Sequence, residues 1–590
     1  MTDESAKKWE PVKGNLLTHW SDEVNPEQPL PEYPRPQLKR KEWLNLNGLW
    51  DYAIRPKDEE MVASFDGKIL VPFPLECALS GVKGKLKKTQ KLWYRRNFSM
   101  PSQWKGKKIL LHFGAVDWET RVWINDKEVG SHKGGYTSFS FEISEHLKYD
   151  GENSLVVSVW DPTDKGGQGR GKQVLRPVGI FYTAVSGIWQ TVWLEPVSNT
   201  HVDRVVVEPN VDYKLIKISL AIQNHQNLEE ITIEVKDDDK VVSSVKESTN
   251  KTFSIPISSP KLWSPEKPFL YDLSITIKTD NTIVDAFDSY FGMRKISISE
   301  EENGIRRILL NNEEIFQYGT LDQGYWPDGL YTAPTDDALK YDIEITKHLG
   351  FNLIRKHVKV EPARWYYHCD KIGVLVWQDM ASGGPMMSTT TLEDFKDARK
   401  ASDQTDYFNE LTEMIQMLFN HHSIIMWVPF NEGWGQFKTK EVCEKIRDLD
   451  SSRLINAASG WYDFGVGDIC DRHSYPNPTI PPSTQFKSRP YVVGEFGGLG
   501  LELENHLWIT KSKHVYVNFP NADKLMRRYS KLISRLKNLM SKGACAAIYT
   551  QTTDVEGERN GLLTYDRAII KMNEEEVRDL NLSLYQHYKT

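Results

Sequence analysis

The stretch "SIIMWVPFNEGWGQF" spans Ser423 to Phe437, and seven of the eight residues from Ile424 to Asn431 are apolar. An uncharged run of this length, rich in Ile, Val and aromatics, reads as a strand buried on both faces. It ends in Asn431-Glu432, followed by Gly433 and Trp434. A carboxylate at the end of so apolar a strand has either simply reached solvent or been placed there for chemistry.

Around this strand, from about Ser299 onward, apolar runs alternate with helical stretches. Eight strand candidates can be counted: "IFQYG", "NLIRKH", "VLVWQDM", "IIMWVPF", "RLINAA", "DICDRHSY", "YVVGEF" and "AAIYTQ". Among the intervening helices, "TDDALKYDIEITKHLG" opens with a Thr N-cap and closes with a Gly C-cap, and "KLMRRYSKLISRLKNLMSKG" is a second. The pattern predicts a (β/α)8 TIM barrel over 299–590, with chemistry carried at the C-terminal ends of its strands.

"RPYVVGEFGG" repeats the theme of the quoted stretch: an apolar strand ends in Glu495, and glycines follow it. Counted along the chain, the two carboxylates close strands four and seven, which face each other across a barrel mouth. Paired carboxylates are what glycosidic cleavage requires, one to protonate the departing oxygen and one to attack or support the anomeric carbon. Their environments have to differ. Glu432, beside Trp434 and apolar neighbours, is expected to be held protonated, and Glu495, on a glycine-rich turn, to stay ionised.

Upstream, short alternating runs from Trp43 to Pro196, such as "NGLWDYAI" and "NSLVVSVWDP", predict a jelly-roll sandwich over 1–198, with "INDKEVG" as a hairpin. A second β region, with "KLIKISLAI" and "YDLSITIK", predicts an immunoglobulin-like sandwich over 199–298. "GGQGRGK", Gly166 to Lys172, fits the spacing of a P-loop, but Gln173 stands where Ser or Thr would hold magnesium and Pro177 opposes the helix that must follow. It reads as a mobile loop.

Composition narrows the function classes. The 74 Lys and Arg against 81 Asp and Glu leave a net charge of -7 without long runs of either sign, so neither a nucleic-acid nor a membrane partner is indicated. Part of the 11% aromatic content, including 19 Trp, suits stacking on sugar rings. Cys77, Cys369, Cys443, Cys470 and Cys545 are scattered, without metal-ligand spacing, and read as buried thiols. The opening "MTDESAKKWEPVKGN" has no apolar h-region, which predicts a cytoplasmic location unless a leader has been removed.

"VPFNEGWGQF" and "YVVGEFGG" resemble the acid/base and nucleophile segments of family 2 glycoside hydrolases, the group of β-galactosidases, β-glucuronidases and β-mannosidases. "LNGLWDY", "WYRRNF", "FGAVDWETRVWINDKEVGSHKGGYTSFSFEI" and "VSGIWQTVWLEPV" resemble its sugar-binding-type jelly roll, and "FGMRKISI" its barrel boundary, so the likeness runs over nearly the whole chain. What the resemblance implies is a retaining exo-β-glycosidase acting through a covalent glycosyl-enzyme, with Glu432 as acid/base, Glu495 as nucleophile and Asn431 on the substrate 2-hydroxyl. Arg355 and His357 are the nearest equivalents of the family's Arg-x-x-His strand end, Arg355 either touching substrate or propping a catalytic carboxylate. Tyr475 stands where the family places a tyrosine on the nucleophile, with His473 beside it.

Three departures bear on the substrate. The first barrel strand, "QYGTLDQGYWPDG", carries Leu321 and Gln323 where many members have Asn and His, so the subsite there is expected to be rebuilt around Asp322, Tyr325, Trp326 and Asp328. Thr550 replaces the usual Trp floor, leaving Trp326 or Trp434 to supply a platform. The Asn-x-Lys that β-glucuronidases use for a carboxylate is missing, although Arg355, Lys356 or Arg559 could serve differently; Asp554, Glu556 and Glu558 read as a solvated loop. A β-galactoside is the first expectation. A β-glucuronide, β-mannoside or arabinofuranoside stays open, as does a catalytically silent carbohydrate-binding protein. No metal or cofactor is required, and homo-oligomers are usual in the family.

Overall fold

The computed structural model describes residues 9–13, 16–224, 230–248, 251–384, 399–480, 488–509 and 515–588. The first eight residues, part of the opening read for a leader, lie outside it.

The N-terminal region forms a two-sheet β-sandwich. One sheet pairs Leu44–Asn45, Val192–Val197, Lys108–Phe113 and Phe139–Glu142; the other has six strands, with Gln90–Ser99 and Glu152–Trp160 at its centre. Alternate residues such as Trp50, Leu92, Tyr94, Leu111, Val122 and Val157 point between the sheets and form the core. The hairpin turns on Asn125 and Asp126, both at positive φ (48° and 66°), as a two-residue I′ turn demands. Three strands then pack on four between His201 and Phe291, an immunoglobulin-like sandwich around Val205, Ile218, Ile233, Phe253 and Ile275.

The barrel strands, numbered β1 to β8 in chain order, are Gln317–Asp322, Leu353–Lys356, Leu375–Asp379, Ile424–Val428, Leu454–Ile455, Cys470–Ser474, Tyr491–Gly497 and Ala544–Thr550. They pair in parallel in the order β5-β4-β3-β2-β1-β8-β7-β6, so β8 closes onto β1. The first helix, Asp336–His348, starts where the Thr335 hydroxyl accepts from the Ala338 amide, and Gly350 follows it at φ +83°. A hairpin, Ile296–Glu300 with Arg306–Leu310, and Trp263 pack on Leu353, Leu375 and Cys545, at or next to the starts of β2, β3 and β8. That plugs the lower end and leaves the strand C-termini open.

The sandwich and the barrel share core. Tyr182, Val185 and Trp189 of the former join one cluster with Tyr325, Trp326 and Tyr331 of the latter. The Gly166–Lys172 segment, read above as mobile, is anchored in this junction: the Arg170 and Gly171 amides both donate to Ser382 O at 2.9 Å, and Gln168 and Lys172 are buried. The sequence signal misled because glycine here serves close backbone approach; a Cβ on Gly171 would come within 2.6 Å of Val358 O.

Candidate active site

Past Val428 the chain turns back on itself. Glu432 adopts φ +52°, and Gly433 (+73°) and Gly435 (+61°) follow. For a residue with a Cβ this backbone costs about 1–3 kcal/mol and persists only where neighbours fix it. Here the Glu432 amide donates to Ser459 O at 2.8 Å and the Ser459 amide to Phe430 O at 2.9 Å. The turn sets the Glu432 side chain on a small cavity at the barrel mouth, with Glu495 also on its wall. Glu495 lies in β7, in register with His473 of β6. Oxygens of the two carboxylates and a nitrogen of His473 all lie within 4.8 Å of one another.

Glu495 is held from several sides. Tyr475 OH donates to its Oε2 at 2.6 Å, and Arg355 Nη1 reaches its Oε1 at 3.2 Å. Arg355 is fully buried and knits three strand ends together. Its Nε and Nη2 bond Asp379 of β3 at 3.0 and 2.9 Å, and Nη2 also donates to Asn431 Oδ1 at 2.9 Å. Cutting this guanidinium away strands the Asp379 carboxylate in a dry interior. Arg355→Met is therefore expected to lose about 3–5 kcal/mol of stability, read from chemical denaturation, whereas a surface pair would cost under about 1 kcal/mol.

His473 sits between the carboxylates. Its Nδ1 bonds Glu432 Oε1 at 2.7 Å and lies 3.5 Å from Glu495 Oε2; its Nε2 meets Ser459 Oγ at 2.8 Å, which donates to Asp471 at 2.6 Å. Burial by itself would depress the imidazole pKa, but the charge of Glu495 and the bond to Glu432 push it above the ordinary histidine value. The same contact acts on Glu432 in reverse. Burial pulls that carboxyl up, and the hydrogen bond and charge of His473, with Lys172 and Arg355, outweigh it and leave the carboxyl below its usual range. This runs against the expectation of a protonated Glu432: the contact with His473 favours the ionised carboxylate and the charged imidazole.

His357 also lines the cavity. Burial, reinforced by Lys172 and Arg355, drives its pKa well below normal, so it is neutral and donates Nδ1–H to Asp379 Oδ2 at 2.8 Å. Asn431 and Trp434 complete the expected residues on the cavity wall. Asn431 has its Oδ1 taken by Arg355, and among the described residues its amide N–H groups meet no acceptor and point to use by a ligand.

Other expectations are corrected. Asp322 does not reach the cavity; it is buried against Lys356 Nζ at 2.6 Å and the Gly324 amide at 2.8 Å. Trp326 is packed in the core beneath Arg567, 3.9 Å from ring centroid to guanidinium carbon. Arg355 lies behind Glu495 rather than on the cavity surface. Asp554, Glu556 and Glu558 are not solvated but buried: Lys571 ion-pairs Asp554, the Thr183 amide donates to Glu556, and Tyr182 OH donates to Glu558.

Five residues on the wall escaped the sequence reading as ligand contacts: Lys172, Ile180, Phe181, Tyr516 and Glu558. Three of these come from the sandwich, and no local sequence signal marks this segment as entering the barrel mouth, where Gly169 and Gly171 are buried. Phe181 meets Trp434 edge to face at 5.5 Å, and Tyr516 stacks on Tyr475 at 3.8 Å.

Glu432, His473 and Glu495 are also a set that could hold a metal ion, a cluster invisible to ligand spacing because two stand on different strands and Glu432 in the turn past a third. A ligating imidazole must be deprotonated, and the raised pKa of His473 works against that.

The chain matches three family models: "Glycosyl hydrolases family 2, sugar binding domain" over 69–194, "Glycosyl hydrolases family 2" over 200–294, and "Glycosyl hydrolases family 2, TIM barrel domain" over 308–491. A β-galactosidase of Thermoanaerobacter pseudethanolicus is 30% identical over 382 residues, 61% of this chain and 47% of that protein. A β-glucuronidase of Bacteroides fragilis is 26% identical over 363 residues, 58% of this chain and 49% of that one. The chain thus spans about half the length of these curated relatives. Among solved structures, Ruminococcus gnavus β-glucuronidase shares the fold with a TM-score of 0.76 at 18% identity, over 94% of this chain and all of that one (100%).

Proposed function

We infer that this chain, which belongs to glycosyl hydrolases family 2, is a retaining exo-β-glycosidase in which Glu495 attacks the anomeric carbon and Glu432 protonates the departing oxygen. The observation that carries the reading is the spacing of the carboxylates. One oxygen of each carboxylate lies within 4.8 Å of the other, which fits the retaining class, whose carboxyl groups stand about 5–5.5 Å apart, better than the inverting class, at about 6.5–9.5 Å. Sandwich residues on the cavity wall support an exo-acting site one sugar deep. The sugar we favour is neutral, a β-galactoside first, because Glu558 stands on the same wall as Lys172. A β-glucuronide is the second reading, favoured by Lys172 as a cation on the cavity and by the relatives named for that activity. The test is a panel of 4-nitrophenyl β-galactoside, β-glucuronide, β-mannoside, β-glucoside and α-L-arabinofuranoside, with the product anomer followed by NMR. Release of the inverted anomer first, or of internal fragments from a polysaccharide, would overturn the mechanism.

Glu432 and His473 are hydrogen-bonded at 2.7 Å, and acid catalysis needs a proton on this pair. kcat/KM is therefore expected to hold while that proton is bound and to fall as pH rises through the elevated pKa of His473. His473→Asn leaves Glu432 to hold the proton alone, so the alkaline limb should move to lower pH. An unmoved limb would remove His473 from the proton inventory.

A further inference from the structure

We propose that Lys172 and Glu558, from different domains, form a donor–acceptor pair that reads hydroxyl groups of the bound sugar and so sets which neutral glycone is accepted. The proposal rests on the glycosidase reading for its substrate class. Both residues line the cavity beside Asn431, Glu432 and Glu495. Under that reading the catalytic carboxylates and Asn431 serve the anomeric end, which leaves Lys172 and Glu558, among the described residues, as the charged groups available to the rest of the ring.

Their geometry is unfinished without a ligand. Lys172 Nζ stands 3.9 Å from Glu558 Oε2, beyond hydrogen-bond reach, and the two side chains are only 9% and 3% exposed. Among the described residues the ammonium has no hydrogen-bond acceptor, although it carries three donors. Glu558 accepts from Tyr182 OH on Oε2 and from Asn560 Nδ2 at 3.2 Å on Oε1, which leaves each oxygen a further acceptor site. A sugar hydroxyl can accept from Lys172 while the same or a neighbouring hydroxyl donates to Glu558. A uronate would bring a second carboxylate against Glu558 instead.

The pair is preorganised. Tyr182 N donates to Lys172 O at 2.9 Å, Gln173 and Val174 pair with Tyr182 and Thr183, and the Thr183 amide is fastened to Glu556 of the barrel at 2.9 Å. Gly171, at φ +56°, permits the approach that carries Lys172 over the barrel mouth. A donor held this rigidly can discriminate, since little ordering is left for binding to impose.

The experiment measures kcat and KM for wild type, Lys172→Met, Lys172→Arg and Glu558→Gln on the active glycoside and on its monodeoxy analogues, with binding of free galactose and glucuronate followed by calorimetry. Lys172→Met should raise KM about 10- to 100-fold with a smaller fall in kcat. It should also erase the penalty that wild type shows for one deoxy analogue, and Lys172→Arg should restore part of it. A KM and deoxy penalty like those of wild type would overturn the proposal, as would a wild-type preference for glucuronate. If no glycoside is turned over, the hydrolase reading fails by itself. Galactose binding weakened by Lys172→Met would then still support the pair, and binding that is equal in both proteins or absent would refute it. Should Lys172→Met fail to fold, as judged by thermal unfolding, Lys172→Arg and Glu558→Gln carry the same comparison.

Discussion

Glu495→Gln is expected to lower kcat by roughly four to six orders of magnitude, the scale on which loss of a covalent nucleophile acts. Glutamine keeps the shape and leaves Tyr475 and Arg355 in place, but its neutral amide is too poor a nucleophile to reach the anomeric carbon. Stability should change far less than activity, because Arg355 retains its two bonds to Asp379. A 2-deoxy-2-fluoro glycoside of the active sugar, which slows breakdown of the intermediate, should add the mass of one glycosyl group to wild type on a peptide containing Glu495, and nothing to the variant. Wild-type labelling at another residue, or a loss of only a few fold in the variant, would remove Glu495 from the nucleophile's role.

Glu432→Ala should show a loss that depends on the leaving group. For an alkyl glycoside, whose departing oxygen must be protonated, general acid catalysis is worth about 10²- to 10⁴-fold, and that much is expected to vanish. For a 4-nitrophenyl glycoside the first step needs little help, so the glycosyl-enzyme should accumulate and release a burst of nitrophenol. Azide, which attacks without a general base, should then speed turnover and yield the retained glycosyl azide. Equal losses across leaving groups, without rescue, would assign Glu432 to structure alone. The direction of the shifts is compatible with this role: His473 favours an ionised Glu432 in the free protein, and a sugar that excludes solvent from the cavity beside Glu432 would raise that carboxyl again.

The resemblance to one family and the two strand ends whose carboxylates meet on one cavity were legible because both reside in local pattern. Runs such as "IIMWV" and "YVVGEF" avoid charge because both faces of a barrel strand are covered, and a Glu at such an end stands out against them. The same locality misled in "LDQGYW", where Asp322 and Trp326 sit one and five positions past Leu321, which does line the cavity, yet turn into Lys356 and the core. It misled again in "TTDVEGERN", whose acids look solvated until Lys571 is set against Asp554 and the sandwich is laid over Glu556 and Glu558.

By itself the sequence determined the order of domains to expect and the strand ends that bear Asn431, Glu432, Tyr475 and Glu495, since alternation, caps and turn residues act over a few neighbours. The tertiary structure alone decided which groups meet them. His473 meets both carboxylates and favours the ionised form of Glu432, Arg355 is spent on holding Glu495, and Lys172 arrives from another domain to face Glu558. Electrostatics and hydrogen bonding depend on distance through space, and no local spacing in a chain encodes a 3.9 Å gap between residues of different domains.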